Sequence, residues 1–311
     1  MKKSKLIVYL ILLTLILALR AAAQNTDSLL NTLNSSMKFN KVEATFKSPR
    51  LVLSQSTETQ KKHDLDLVIT HRFGDIGGNF GSSHTLYGLD VATDLYIGFD
   101  YGITNNLTVG IGRSKHDELY NLFIKHKILQ QTNDGIPLNI TLLLQGAVAT
   151  RTPFANEFIS FNHRTSYLIQ PIISRKFSER LSLQAIPSYL IRYMTTDILD
   201  SKNLFTIGFA GRFKITKRLS FIVDYTLING LSRPTRLSVA QYNPLGVGLE
   251  IETGGHVFSL NFINAEYINE NNFLTDTKKS WKNGGVRFGF SISRNFSLFK
   301  SKNPDIKSTI Y

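Results

Sequence analysis

Leu204 to Lys217 reads LFTIGFAGRFKITK, and it decides the fold. Phe205, Ile207, Phe209, Phe213 and Ile215 alternate with Thr206, Gly208, Ala210, Arg212, Lys214 and Thr216, and Gly211 interrupts the apolar set without reversing it. Successive side chains of a strand point to opposite faces, so one face meets something apolar and the other something polar. The next run keeps the pattern. Leu219, Phe221, Val223, Tyr225 and Leu227 share one face and Ser220, Asp224 and Thr226 the other, with Ile222 the exception.

The same alternation recurs from Leu95 to Ile103, from Leu245 to Glu252 and from Val286 to Ser293. A coarse division gives strands near 64–73, 91–103, 107–114, 118–128, 137–150, 163–177, 181–194, 203–215, 219–228, 244–252, 256–266 and 284–296. Twelve is even, as a barrel with both termini on one side requires. Tight turns at 103–106, 177–180, 215–218 and 253–255 are interspersed with long loops at 74–90, 151–162, 195–202, 229–243 and 267–283. Short periplasmic turns and long extracellular loops have this arrangement in outer-membrane barrels, and charge on the polar face of long strands belongs in a wet lumen. The reading is an all-β, antiparallel up-and-down transmembrane barrel over residues 63–299. It has about twelve strands, or fourteen if a hairpin is added upstream. Tyr87, Tyr120, Phe158, Phe161, Tyr193, Tyr242, Tyr267 and Trp281 fall at strand ends, as an interfacial girdle would.

The chain starts with a leader. Lys2, Lys3 and Lys5 precede the apolar run Leu6 to Leu19, and Ala21-Ala22-Ala23 supplies a small-residue cleavage site. A retained anchor helix is the alternative, but this run is short for a span. Residues 1–23 are therefore read as a cleaved signal helix, and the mature chain as a protein of the bacterial outer membrane. Losing Lys2, Lys3, Lys5 and Arg20 leaves 32 basic against 23 acidic residues, a net charge of +9. An exported chain would not meet nucleic acid; outer-membrane lipid, lipopolysaccharide and small polar solutes are its natural partners. There is no cysteine, which excludes disulfides, thiolate metal sites and cysteine catalysis. Residues 24–62 read as an N-terminal periplasmic extension or a plug folded into the lumen, and 300–311 as a polar tail.

The chemistry-bearing residues are sparse. His163 near Ser160, and His71 beside Arg72, are each at most half of a hydrolytic site, since a nucleophile needs a base within hydrogen-bond reach and no triad is defined. The seven histidines are scattered without ligand spacing. Gly74 to Gly81 is glycine-rich but lacks the lysine and following helix of a phosphate-binding loop, so it reads as a flexible extracellular loop. The sequence thus points to no enzyme, metal or cofactor, with an outer-membrane hydrolase as the minor alternative.

His71-Arg72-Phe73-Gly74, Tyr87-Gly88-Leu89-Asp90 and the run Ile97 to Ser114 (IGFDYGITNNLTVGIGRS) stand out. With Thr45-Phe46-Lys47 upstream and Lys127-Ile128-Leu129, Gln131 and Ile136-Pro137-Leu138 downstream, they resemble an uncharacterised barrel family common in Bacteroidota. It is known as domain of unknown function 5777. The resemblance spans most of 42–299 and implies an outer-membrane barrel; it brings no activity, ligand or catalytic residue.

Alternation directs Asp66, Arg72, Asp94, Asp100, Lys125, Lys127, Arg212, Lys214, Asp224, Glu250, Glu252 and Arg287 into the lumen. Two readings stay open for them. One is a structural network of paired charges that fills a narrow barrel. The other is a polar path whose charged rings select solutes. The leading expectation is porin-like passage or binding of small polar solutes. The alternative is a non-conducting scaffold or surface-interaction barrel.

Overall fold

The computed structural model describes residues 41–154, 157–195, 197–234 and 237–299, apart from the side chain of residue 79. The leader, residues 24–40 and the tail lie outside the described residues. Twelve antiparallel strands close into a barrel in which each strand pairs with its sequence neighbours and the first pairs with the last. They are β1 Asp64–Asp75, β2 Ala92–Thr104, β3 Leu107–Ser114, β4 Leu119–Leu129, β5 Asn139–Ala149, β6 Thr165–Lys176, β7 Leu181–Arg192, β8 Asn203–Lys214, β9 Leu219–Leu227, β10 Leu245–Thr253, β11 His256–Ile263 and β12 Arg287–Ser297. Closure runs through β1 and β12, from Asp64 opposite Ser297 to Arg72 opposite Gly289. A closed sheet leaves no unpaired edge, which is why strands can cross a membrane in this form. The expected twelve strands are observed with small end shifts, and the fourteen-strand variant is not.

One rim carries the chain ends of the barrel, the four tight turns and the 130–138 connection; the other carries the long connections and the short 115–118 link. Turn residues at the first rim bind their own backbone. The Asn106 N–H donates to Thr104 Oγ1 at 3.2 Å, and the Leu181 N–H to Ser178 Oγ at 3.1 Å. Near the long-loop rim the register of β1 shifts after Arg72 against both neighbours, a bulge of the kind that re-aims side chains at barrel mouths.

The outward face is an apolar band. Phe99, Ile111, Leu122, Ile124, Leu144, Phe209 and Phe262 are all exposed, a waste of burial in water and the natural state against lipid. Cations lie over aromatic rings on this surface. The Arg113, Arg175 and Arg294 guanidinium carbons stand 5.7, 5.2 and 4.8 Å from the ring centres of Tyr120, Phe177 and Phe296, so aliphatic stems cover apolar surface while the charges seek the interface.

Two connections depart from simple loops. Residues 42–62 turn back on themselves: the Leu51 N–H donates to the Ser54 carbonyl and the Ser56 N–H to the Pro49 carbonyl, both at 2.8 Å. This hairpin contacts inward-facing side chains of β2, β4, β5, β6, β7, β9 and β10, strands from all around the wall, so it lies within the lumen. The β11–β12 connection also folds inward, and its α-helical turn, α1 (Glu270–Phe273), is wholly buried. Tyr267 of this connection stacks on His116 with ring centres 3.5 Å apart, which removes it from the expected outer girdle. Lys41 and residues 132–135 fall in a second small unit, where Lys41 pairs with Thr132.

The lipid face yields a direct test. Leu122→Arg, at an exposed outward position paired with Ile111, should destabilise the membrane-inserted barrel by about 2–4 kcal/mol. Urea unfolding in lipid vesicles measures this, and Leu122→Ile should stay near wild type.

Candidate functional site inside the barrel

Of the twelve inward charges read from the alternation, ten are buried, with Lys127 and Lys214 half-buried nearer the short-turn rim. Eleven of them fall into two sets, each facing one of the inserted segments.

The first set holds the β11–β12 connection. Arg72 donates from Nη1 to the carbonyls of Ala265 (3.0 Å) and Tyr267 (2.7 Å). Asp94 accepts from the Ile268 N–H at 2.9 Å and from Ser114 Oγ at 2.8 Å. Arg287 reaches Asp75 at 2.6 Å and Glu266 at 2.5 Å, and donates to the Asn264 carbonyl. Across the lumen, Gln145 of β5 donates to Asn271 Oδ1 at 2.7 Å, and Asn271 Nδ2 donates to Ser166 Oγ of β6. The connection is therefore pinned on both sides of the barrel.

The second set holds the hairpin. Asp224 accepts from the Leu53 N–H (3.1 Å), the Ser54 N–H (2.8 Å) and Ser54 Oγ (2.6 Å). Lys125 donates to the Pro49 carbonyl and Gln55 Oε1, both at 3.1 Å. Lys127 pairs with Glu58 at 3.5 Å, and Lys47 with Glu252 at 3.4 Å. Arg212 bridges Glu250 (2.6 Å) and Glu252 (2.8 Å). Asp66 accepts from Ser293 Oγ and from Gln60 Nε2 of the hairpin's outgoing arm. Asp100 faces Arg50. The partners of this set are mostly on the inserted segment, while the Arg212 bridge and the Asp66–Ser293 hydrogen bond close within the wall. A charge taken from water is tolerated when it is paired and hydrogen-bonded, and here the insertion supplies that.

The other half of the interior is apolar. Phe46, Leu51, Val52 and Leu53 of the hairpin form one buried cluster with Leu143, Leu168, Ile172, Ile186, Leu190, Leu204 and Ile222 of the wall, joined by Phe273 and Leu274. Ile222, the exception in its strand's alternation, is an inward residue packed against the hairpin. None of these residues was among the sequence candidates. Their signal was present: an apolar residue on a polar face announces something apolar inside.

The remaining candidates are structural. His71 lies on the outward face, its ring centre 4.3 Å from Phe73 and 5.7 Å from Phe290, on the opposite face from Arg72. His163 meets Ser160 through backbone, its N–H donating to the Ser160 carbonyl at 3.1 Å. Within the glycine-rich loop, Gly81 lies against backbone while Phe80 is exposed. A Cβ on Gly81 would lie 2.0 Å from the Asp75 carbonyl oxygen, so glycine serves close backbone approach.

At the long-loop rim, Asp200 latches three connections. Arg192 and Arg233 donate to it at 2.5 and 2.9 Å, and Arg233 also donates to the Thr275 carbonyl at 2.6 Å. Burial works against the Asp200 charge, but Arg233 and Arg192 outweigh it and hold the carboxyl below the usual aspartate range. For Glu270 burial dominates and pushes the carboxyl up.

The hairpin tip provides one prediction. Asp224→Ala orphans three donors, at about 1–3 kcal/mol for a lost buried partner, and hydrogen exchange at the Leu53 and Ser54 amides should quicken about tenfold or more. The latch provides another. A depressed carboxyl stabilises above its unfolded pKa, near 3.9, and loses that contribution as pH falls through its folded value. The latch should thus be closed at neutral pH and loosen below about pH 4. A raised carboxyl acts oppositely, so acid favours the seated Glu270. Limited proteolysis within 229–243 should rise in acid for wild type and already be high at neutral pH for Asp200→Asn.

Known proteins place the chain. No curated protein matches it. Among solved structures, the NanC porin aligns at 10% identity and a TM-score of 0.46, covering 75% of this chain and 100% of that one. The KdgM porin aligns at 8% identity and a TM-score of 0.44, covering 75% and 99%. OmpF from Salmonella typhi, in complex with daunomycin, aligns at 7% and 0.35, covering 75% and 97%. The family described as a membrane bound beta barrel domain, number 5777, matches residues 46–296. The chain belongs to that family of membrane-bound β-barrels.

Proposed function

We propose that this protein is a porin-like barrel of the bacterial outer membrane, exported by its leader, that passes small polar solutes when the 42–62 hairpin leaves the lumen. The observation that carries this reading is the manner in which the hairpin is held. It is gripped by side-chain hydrogen bonds and ion pairs that water in an open lumen would replace. Its chain connections both lie near the short-turn rim, where the Val42 N–H donates to Gln131 and the His63 N–H to Gly102. A segment tethered this way withdraws as a unit, as a plug does. With it seated, a cavity of about 20 Å³ remains beside Arg50, Ser259, Ser291 and Ser293, room for about one water. In this reading the seated hairpin closes the resting barrel. The apolar outer band faces lipid and lipopolysaccharide, the long loops face outward, and the barrel is not an enzyme.

A non-conducting scaffold is the second reading, favoured by the apolar packing of Phe46 and Leu51–Leu53 against the wall. Planar bilayer recording separates the two. Wild type should show rare, brief openings, and a barrel with residues 44–57 replaced by a short Gly-Ser linker should show steady conductance. Silence of the linker variant at every voltage, with its fold shown by heat-modifiable gel migration, would overturn passage in favour of the scaffold.

A further inference from the structure

Arg50 of the hairpin sits in a box that is built more thoroughly than an anchor needs. Its guanidinium carbon stands 4.9 Å from the ring centre of Tyr96 and 5.6 Å from that of Phe123. Its Nη2 donates to the Tyr96 hydroxyl at 3.2 Å and lies 3.5 Å from Asp100 Oδ1. Tyr96, Phe123 and Asp100 are each only 1% exposed. Two aromatic faces and a carboxylate are the chemistry that recognises an organic cation.

The wall is carved for these rings. A Cβ on Gly112 would lie 2.2 Å from the Tyr96 hydroxyl. One on Gly110 would lie 2.2 Å from the Phe123 ring and 2.7 Å from Asp100 Oδ1. Strand β3, between β2 and β4, thus gives up side chains so that both rings and the carboxylate share one place.

Arg50 uses this box incompletely. Among the described residues, both Asp100 carboxylate oxygens and the Arg50 Nε are buried without a hydrogen-bond partner. Arg212, by contrast, makes two close ion-paired hydrogen bonds to Glu250 and Glu252. A planar guanidinium offers five donors, two of which fit a carboxylate side by side, so a free guanidinium would satisfy Asp100 better than the tethered one does. Burial works against the Arg50 charge, but Tyr96, Asp100, Glu270 and Asp66 outweigh it, so the group stays charged. Its side chain is 16% exposed and borders the small cavity beside the hairpin.

We propose that Tyr96, Phe123 and Asp100 form a binding site for small guanidinium-bearing cations, and that Arg50 occupies it as a tethered stand-in. A solute that takes the box displaces Arg50 and favours withdrawal of the hairpin, since a ligand shifts an equilibrium toward the state it binds better. This deepens the passage reading, on which its physiological meaning rests.

The test is chemical rescue in the full chain, with methylguanidinium as probe. Arg50→Ala, its fold checked by heat-modifiable migration, should melt about 2–4 °C higher with saturating methylguanidinium than with equimolar sodium chloride. Asp100→Asn in the same background should abolish that difference. No saturable shift, or an equal shift in the double variant, overturns the proposal. Should Arg50→Ala fail to fold, wild type decides. Methylguanidinium should then quicken hydrogen exchange over residues 51–56 at least several-fold over sodium, and an unchanged rate overturns the proposal. Both readouts are independent of conductance, so a silent linker variant would overturn passage alone.

Discussion

A barrel that closes in lipid satisfies its own backbone, and in doing so creates an inside that must be filled. The β pleat sends every second side chain there, and in this chain those side chains include carboxylates, guanidiniums and ammonium groups. A charge in a narrow interior needs either water or a partner. The rest of the structure follows from that requirement. Two segments fold inward, and each presents backbone N–H groups, carbonyls and side chains where the wall presents charge. The hairpin tip turns its N–H groups to Asp224 and its carbonyl to Lys125. The β11–β12 connection turns its carbonyls to Arg72 and an N–H to Asp94. The wall charges act as addresses for the insertions, and much less as partners for one another.

What was legible in the sequence was whatever depends on period two. Alternation, turn chemistry and unequal connections located all twelve strands and named the inward charges, because these are local signals carried by adjacent residues. The insertions are not local. Nothing in Pro49 to Gln55 states that its partners are Lys125, Gln184 and Asp224, which lie 70 to 171 residues away. The traces that existed were anomalies. Ile222 on a polar face, and Phe46, Leu51 and Leu53 in an otherwise polar segment, are the two halves of one apolar contact. Read together they imply an occupied lumen; read separately each looks like noise in a strand or a loop. Asp100 was named as a lumen charge, but its meaning depends on Tyr96 and Phe123. Both aromatics face inward on glycine-rich ground, a placement that only the register of β2, β3 and β4 reveals.

The two faces of the interior set the balance between filled and open. The polar wall is nearly indifferent. Hydrogen bonds exchanged between a hairpin and water contribute about 0.5–1.5 kcal/mol each on balance, so hydration of an open lumen would compensate much of their loss. The apolar wall is not indifferent. Water beside Leu143, Leu168, Ile172, Ile186, Leu190 and Leu204 is unfavourable at roughly 25 cal/mol per Å², and covering these residues is what Phe46 and Leu51–Leu53 do. Apolar contact therefore sets the closed rest state, while the polar contacts fix the register in which the hairpin sits.

That division explains where a trigger has to act. A solute entering from water has no means of undoing apolar contact, but it competes directly for a charged partner. Most wall charges are poorer points of entry because the hairpin or the wall already bonds them: Asp224 accepts three donors on one oxygen, and Glu250 and Glu252 share Arg212. Asp100 differs, being buried, aromatic-flanked and held by one ion pair at 3.5 Å with no hydrogen bond. Asp100, with neither oxygen hydrogen-bonded among the described residues, is thus a contact where a cation from outside gains more than the hairpin loses. A hairpin held mainly by apolar packing and polar register becomes responsive to solute at that position.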